Sequence, residues 1–421
     1  MKRLLAAALL AAAGTAGAAP YQIMDPRTLG LGGASVAAAT SAGAAFYNPA
    51  LLATARPEED FALELPTAAL ELSDPDRLRD DVRDFDRNDY ISRYAQAIAD
   101  LNAAIDAGNL QAATAARNQV VNSGNALLEA LRNLSGKPLL GTANAGAVLG
   151  IPSRRFGASL YLNVWGGGAV VGLMSQGDYD AAKQSLDALD QFDPNDITTW
   201  SALADPTPDF TSRISARFLV VGEVGLALAH RTGLLGGLAL GVTPKAQQVT
   251  TIDYNYVARE LDQAQIRTRD GERDYSDFNF DLGAAKQLDD TWRVGVSVKN
   301  VLPKSYDTAR GHTIEVKPQV RAGLARASRW TTLAADLDLT ENDPVARFGK
   351  PSRQLSLGAE LNVWRTLLLR VGYRTNLAAD TVDFITAGLG LSLFGLHVEA
   401  GVGAGLDGNA AAGGAQVGFR F

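Results

Sequence analysis

The chain has 421 residues, 47% of them hydrophobic, with 42 glycines, three histidines, no cysteine and a formal net charge of −7. The lack of cysteine excludes a disulfide-held fold and thiol redox chemistry. The acidic balance with scattered signs argues against nucleic acid as a partner, and so few imidazole and thiol groups leave no cofactor or metal site to expect.

Lys2 and Arg3 precede an apolar run from Leu4 to Ala13, and Ala16-Gly17-Ala18 supplies the small residues that a signal peptidase reads. Residues 1–18 are therefore expected to be a cleaved secretory signal. A run of about ten residues is half of what a membrane-spanning helix needs, and no later stretch reads as a helical span.

Two glycine- and alanine-rich segments follow, Leu29-Gly-Leu-Gly-Gly-Ala-Ser-Val36 and Ala44-Ala-Phe-Tyr-Asn-Pro-Ala-Leu-Leu52. Gly30, Gly32 and Gly33 could suggest a phosphate loop, but no Lys-Ser/Thr follows them and no βαβ unit surrounds them. Such a compact segment ahead of strands reads better as something small enough to fit inside a barrel.

Residues 76–134 carry a helical pattern. Ile91, Tyr94, Ala95, Ile98, Leu101 and Ile105 recur at i, i+3, i+4 and i+7. Gly108-Asn109 marks a helix stop, and a second helix runs through Leu127, Leu128, Leu131 and Leu134. A helical hairpin in the first outer loop, about 76–135, is expected over the barrel mouth. Residues 175–211 hold Asp178, Asp180, Asp187, Asp190, Asp193 and Asp196 at spacings that do not match a calcium loop, and read as a solvated outer loop.

From there the dominant pattern is alternation with a period of two. Phe278, Phe280 and Leu282 form one such run, Trp292 to Val298 another, and Ile314 to Leu324 a third. Leu355 to Val363, Leu396 to Ala404 and Ala415 to Phe421 repeat it, with Phe419 and Phe421 on the apolar face. Runs of about ten residues suit tilted strands crossing a bilayer. Pro318 cannot donate to a ladder and should lie at a bulge or an unpaired position.

Tight turns fall near Ser153, Thr232, Asp289, Ser328, Arg365 and Gly395, and longer connections between them. Trp292, Trp330 and Trp364 sit at the tight-turn ends, where a periplasmic aromatic girdle belongs. Counting from Phe61 gives about fourteen strands, so the fold class is an all-β membrane protein. It is an antiparallel outer-membrane barrel of about fourteen strands, spanning 57–421.

The segments "GLGGASVA" and "FYNPALL" resemble the start of the long-chain fatty acid transporter (FadL-like) superfamily of outer-membrane barrels. Within it, "SVKNVLPKSY" at 297–306 and "LLLRVGYRTN" through "FITAGLGLSL" at 367–393 resemble the barrel-type conjugal transfer TraF proteins. The resemblance implies a luminal hatch over residues 19–56 with its Asn48-Pro49-Ala50 triplet against the wall. It also implies recognition of the last strand, Phe419 and Phe421, by the barrel assembly machinery. The thioredoxin-like proteins that share the TraF name are a separate matter, because this chain has no cysteine.

No Gly-x-Ser-x-Gly elbow is present, so no catalytic residue is expected and the chain reads as a non-enzyme. Phe46, Tyr47, Asn48, Pro49, Ala50 and Leu51 are the candidate ligand and hatch residues, facing the wall as a greasy patch. One departure from the transporter picture is a charged inward parity: Arg293, Lys299, Glu315, Lys317, Arg321, Asp336, Asp338, Glu360, Arg370, Arg374 and Glu399. Binding or passive transport of a hydrophobic small molecule is the leading expectation. A non-transporting scaffold for envelope or conjugation proteins and a polar diffusion channel are the alternatives. Outer-membrane lipids are the expected surroundings.

Overall fold

The computed structural model describes residues 21–54, 60–191, 211–257, 268–345, 348–364 and 366–420. The expected signal sequence and Phe421 lie outside the described residues. No described helix is long and apolar enough to cross a membrane.

Fourteen antiparallel strands close into one barrel. Its first six are β1 (Ala62–Ser73), β2 (Pro138–Ile151), β3 (Phe156–Leu173), β4 (Arg213–Arg231), β5 (Ala239–Val257) and β6 (Glu272–Gln287). β7 (Trp292–Lys299) is followed by a separate two-stranded hairpin, β8 (Lys304–Asp307) and β9 (Thr313–Val316). The wall then resumes with β10 (Gln319–Ala327), β11 (Thr331–Asp338), β12 (Gln354–Val363), β13 (Leu367–Asn376), β14 (Phe384–Leu393), β15 (Leu396–Gly405) and β16 (Ala410–Arg420). Closure joins β1 to β16, with Leu63 opposite both Leu149 of β2 and Phe419 of β16. A closed sheet is what hydrocarbon surroundings demand, since no water is there to satisfy an open edge.

Side chains alternate across this wall. On β13, Leu369 and Val371 face outward while Arg370 and Arg374 are buried inside. Leu333, Leu357, Ile385, Leu389, Val398 and Val402 continue the outward apolar belt. So many exposed leucines and valines would be an aggregation liability in water and are the expected coat of a lipid-facing barrel. Trp292, Trp330 and Trp364 are exposed at the tight-turn ends. In the turn before Trp292, Asp289 accepts hydrogen bonds from the Trp292 and Thr291 backbone N–H groups at 2.8 and 2.7 Å. These hold its carboxyl below the usual range.

One strand assignment needs correction. The alternating run 314–324 is not one strand: Ile314 and Val316 belong to β9, and the wall strand β10 starts at Gln319. Pro318 lies unpaired between them, where its missing N–H breaks the ladder. Glu315 and Lys317 consequently pair with each other on the hairpin and take no place in the barrel wall. The β8–β9 hairpin folds back inside, with Tyr306, Ile314 and Val316 buried in the main apolar core.

The hatch, residues 21–54, is almost wholly buried within the lumen. It comprises α1 (Pro26–Gly30), α2 (Ala44–Tyr47) and a 3-10 turn, Pro49–Ala53. Asp25 caps α1 through the Thr28 N–H, and Asn48 caps the 3-10 turn through the Ala50 N–H, each with proline next.

On the outer side, three helices follow β1: α3 (Leu78–Asn88), α4 (Tyr90–Asp106) and α5 (Leu110–Leu134). Gly108, at φ 66°, and Asn109 separate α4 from α5. A further helix, α6 (Gln176–Asp190), occupies much of what reads in sequence as a solvated loop. α4, α5 and α6 bury Ala97, Leu101, Ala113, Val120 and Leu189 in a core of their own.

Candidate functional site

Three features of the lumen bear on function: how the hatch is seated, how the charges pair, and where space remains. The six hatch residues singled out in sequence are brought together and all are buried, with Phe46, Tyr47, Asn48, Ala50 and Leu51 at 2% exposure or less. Asn48 Nδ2 donates to the Val36 carbonyl at 2.8 Å and to Ala284 on the wall at 3.2 Å. Phe46 meets the Tyr161 ring at 5.3 Å between centroids, and the Tyr47 hydroxyl receives the Met24 N–H at 2.6 Å. This side of the hatch is packed solid.

The wall makes room for the hatch with glycine. A Cβ on Gly241 would sit 2.4 Å from the Ala50 nitrogen, and one on Gly283 2.2 Å from Asn48 Oδ1. Gly372 would bring one within 2.1 Å of the Gly32 nitrogen. These seats come as facing pairs, Gly241 with Gly283, Gly295 with Gly323, Gly358 with Gly372 and Gly388 with Gly401. Gly30, Gly32 and Gly33, which look like a phosphate loop in sequence, are the matching close-approach residues on the hatch.

The inward charges form networks. Arg27 of the hatch meets Glu360 at 3.0 Å, and Arg370 shares that carboxylate at 2.7 Å. Arg370 reaches Glu399 at 3.1 Å, and Arg420 meets Glu64 at 2.8 Å across the β1–β16 closure. His397 lies 3.6 Å from Glu64. A second group joins Lys245 to Asp281 at 3.0 Å and Glu223 at 3.4 Å. In a third, Asp336 accepts the Ser35 and Val36 N–H groups at 2.7 and 2.9 Å, while the Arg321 guanidinium covers the Tyr21 ring at 3.6 Å. Lys299 and Arg293 donate to the hatch carbonyls of Phe46 and Ala37. Burying so many charges is tolerable only because they are paired.

Sequence reading missed Arg27, Glu64, Glu223, Lys245 and Asp253. Parity along β4–β6 would have found several of them. Glu64 is hidden because the β1 register shifts between Glu64 and Thr67.

Space remains at the two ends. The outer cavity, about 220 Å³, is bordered by Leu140, Val345, Phe348, Val382 and Phe384, with Gln22, Glu71, Asp76, Lys350, Gln354 and Arg374 among its polar members. Arg374 bonds Glu71 at 2.6 Å and stacks over Phe384 at 4.5 Å. A second cavity, about 240 Å³, opens beneath the hatch. Of the candidate hatch residues, Leu51 borders that lower cavity and none borders the outer one.

Above the barrel, Asp178 ties α6 to the start of β4. Burial works against its charge, but the Ser212 hydroxyl, the Thr211 and Ser212 N–H groups and the Ser175 hydroxyl outweigh this and hold its carboxyl at about 2.

A family model described as "F plasmid transfer operon, TraF, protein" matches residues 45–338. None of the curated proteins matches the chain. The Ralstonia pickettii toluene transporter TbuX is similar in structure at 11% identity, with a TM-score of 0.52 over 95% of this chain and 98% of that one. A deltaS2 mutant of the monoaromatic hydrocarbon channel TodX is similar at 13% identity and a TM-score of 0.51, over 94% and 96% of the two chains. A Pseudomonas aeruginosa FadL homologue gives 11% identity and a TM-score of 0.49, over 96% and 99%. At such identities the likeness speaks for the fold alone.

Proposed function

The chain belongs to the TraF family named for the F plasmid transfer operon, and we propose that it binds small hydrophobic molecules in the outer membrane. The reading rests on the outer cavity. Phe348, Phe384, Val345 and Val382 make most of its surface apolar, while the Arg374–Glu71 pair, Asp76 and Lys350 supply polar edges. That is the composition expected of a small-molecule site. A cavity of about 150 Å³ holds benzene, so about 220 Å³ suits a substituted single ring or a short acyl chain. That TbuX is a toluene transporter and TodX a monoaromatic hydrocarbon channel supports the same ligand class.

The test is equilibrium binding of toluene to the purified barrel in detergent. Phe348→Asp and Val382→Asp should each weaken binding at least tenfold and leave the heat-resistant barrel band on a gel unchanged. Full binding in both variants would refute the reading. A second reading, an envelope scaffold, draws on the separate core of α4–α6. Deleting residues 80–132 should leave toluene binding intact under the first reading, and abolish a transfer phenotype only under the second.

A further inference from the structure

We propose that the Arg374–Glu71 ion pair is a gate that sets how long a hydrophobic ligand the outer cavity accepts. The inference rests on that cavity being the binding site. A smaller cavity, about 50 Å³, adjoins it on the side of the hatch. Tyr21, Ile23 and Leu29 of the hatch and Ala69 and Ala412 of the wall supply its apolar surface. Gln22, Glu71, Thr142, Gln354 and Arg374 border both cavities. Polar groups therefore stand at the partition, with apolar surface on either side of it.

Within the partition, Arg374 and Glu71 form the bar. Arg374 stands on β13 and Glu71 on β1, with β14, β15 and β16 between them in the closed sheet. Four interstrand steps measure about 19 Å along a wall. The 2.6 Å contact between the two side chains therefore crosses the lumen. Arg374 also lies over the Phe384 ring at 4.5 Å, and a Cβ on Gly33 of the hatch would sit 3.8 Å from its Cδ. The guanidinium is thus held from below and from one side, and Glu71 is the partner free to swing.

Hydration is what makes this pair movable. The Glu71 side chain is 26% exposed, whereas Arg370 and Glu399, another pair of the same wall, are both at 0%. Parting two fully buried charges is strongly unfavourable. A carboxylate that already meets water regains hydration as it turns to the outer mouth, and a pair of that kind contributes little. Once Glu71 has turned away, the two cavities join. The added space, about 50 Å³, is room for roughly two methylenes, taking about 30 Å³ for a water-sized group.

The probes are n-alkylbenzenes from toluene to octylbenzene, titrated into the full barrel in detergent. Wild-type affinity should rise with each methylene until the outer cavity is filled, and then level off. Glu71→Ala should move that plateau outward by about two methylenes, so that the longest probes gain at least tenfold in affinity relative to toluene. Glu71→Gln, which keeps the shape and loses the charge, should move it in the same direction and carries the test if E71A does not fold. Heat-modifiable mobility reports folding. Adding Ala412→Leu to E71A fills the smaller cavity and should return the plateau to its wild-type length. An unchanged plateau in the folded Glu71 variants would overturn the gate while the outer site stands. A shift that A412L leaves in place would put the added room elsewhere and overturn the role of the smaller cavity. Failure of every probe to bind the wild type, toluene included, would remove the outer site and the gate with it.

Discussion

Strands β3–β6 and strands β10–β16 surround the same hatch, but they grip it by different means. β3, β4, β5 and β6 run for 18, 19, 19 and 16 residues and present Tyr161, Trp165, Leu219, Val221 and Val249 to Phe46, Leu51 and Leu52. The β8–β9 hairpin closes this side from above, bonded to β5 and β6 through Asp253, Tyr275 and Asn279. β10–β16 run for 8 to 11 residues and meet the hatch through charged groups, Glu360 with Arg27 and Asp336 with the Ser35 and Val36 N–H groups, besides glycine pairs of the kind that β5 and β6 also use. Apolar contacts lose about 25 cal/mol for each Å² returned to water, whereas charges regain hydration when they part. The long-strand half is thus expected to hold the hatch more firmly. The short-strand half borders both cavities and is where the hatch is expected to yield first.

The largest effect should come from filling a glycine seat. Gly283→Val would drive a side chain into Asn48, where the Cβ alone lies 2.2 Å from Oδ1 and Pro49 leaves no retreat. Unseating of the hatch is expected, read as a large rise in planar-bilayer conductance. Gly413→Val, with open space around its Cβ, should conduct like the wild type. Equal conductance of the two variants would break the account of the hatch as a fixed fit. Next in size, Phe46→Ala removes a buried ring from the packed side and should cost about 4 kcal/mol, seen as a lower melting temperature of the barrel in detergent.

Much of this was legible in sequence, for reasons that differ by region. The short strands show their alternation because Leu369 and Val371 face lipid while Arg370 and Arg374 face the lumen, and every second residue differs in kind. The fourteen-strand count and the tight turns followed from that. The hairpin did not, since Ile314 and Val316 alternate as a wall strand would and only Pro318 marks the break. α6 was hidden by its aspartates, which suit a solvated loop as well as the exposed face of a helix. The cavities were least legible. They arise where strands far apart in sequence, such as β2 and β14, leave space unfilled, and no local pattern records that.

On the charged side, Glu360→Gln should cost about 3 kcal/mol, because it strands Arg27 and Arg370 without their shared partner. The contrast with Phe46→Ala lies in its salt dependence. Arg27 borders the lower cavity, where mobile ions can reach it, so part of the E360Q deficit should be relieved between low and high salt while that of F46A stays constant. Parallel salt responses would mean that the two halves do not differ in kind.

The smallest effect concerns the top of the long-strand half, where Asp178 holds Thr211 and Ser212 against α6. Its carboxyl is held at about 2, below its ordinary 3.8. A depressed value of this kind contributes stability that is fully present above about pH 4 and is lost as pH falls towards 2. The contact should be worth about 1 kcal/mol near neutrality, discounted for water at the outer surface. Acidification from pH 5 to pH 2.5 should therefore raise hydrogen exchange in α6 and at Thr211 and Ser212, while the amides of the hatch around Asn48 stay protected. In Asp178→Asn the same amides should exchange faster already at pH 5 and respond little to further acid. If acid instead exposed the hatch first, the lumen's apolar half would not be the seal that its packing implies, and the outer helices would be the firmer part of the molecule.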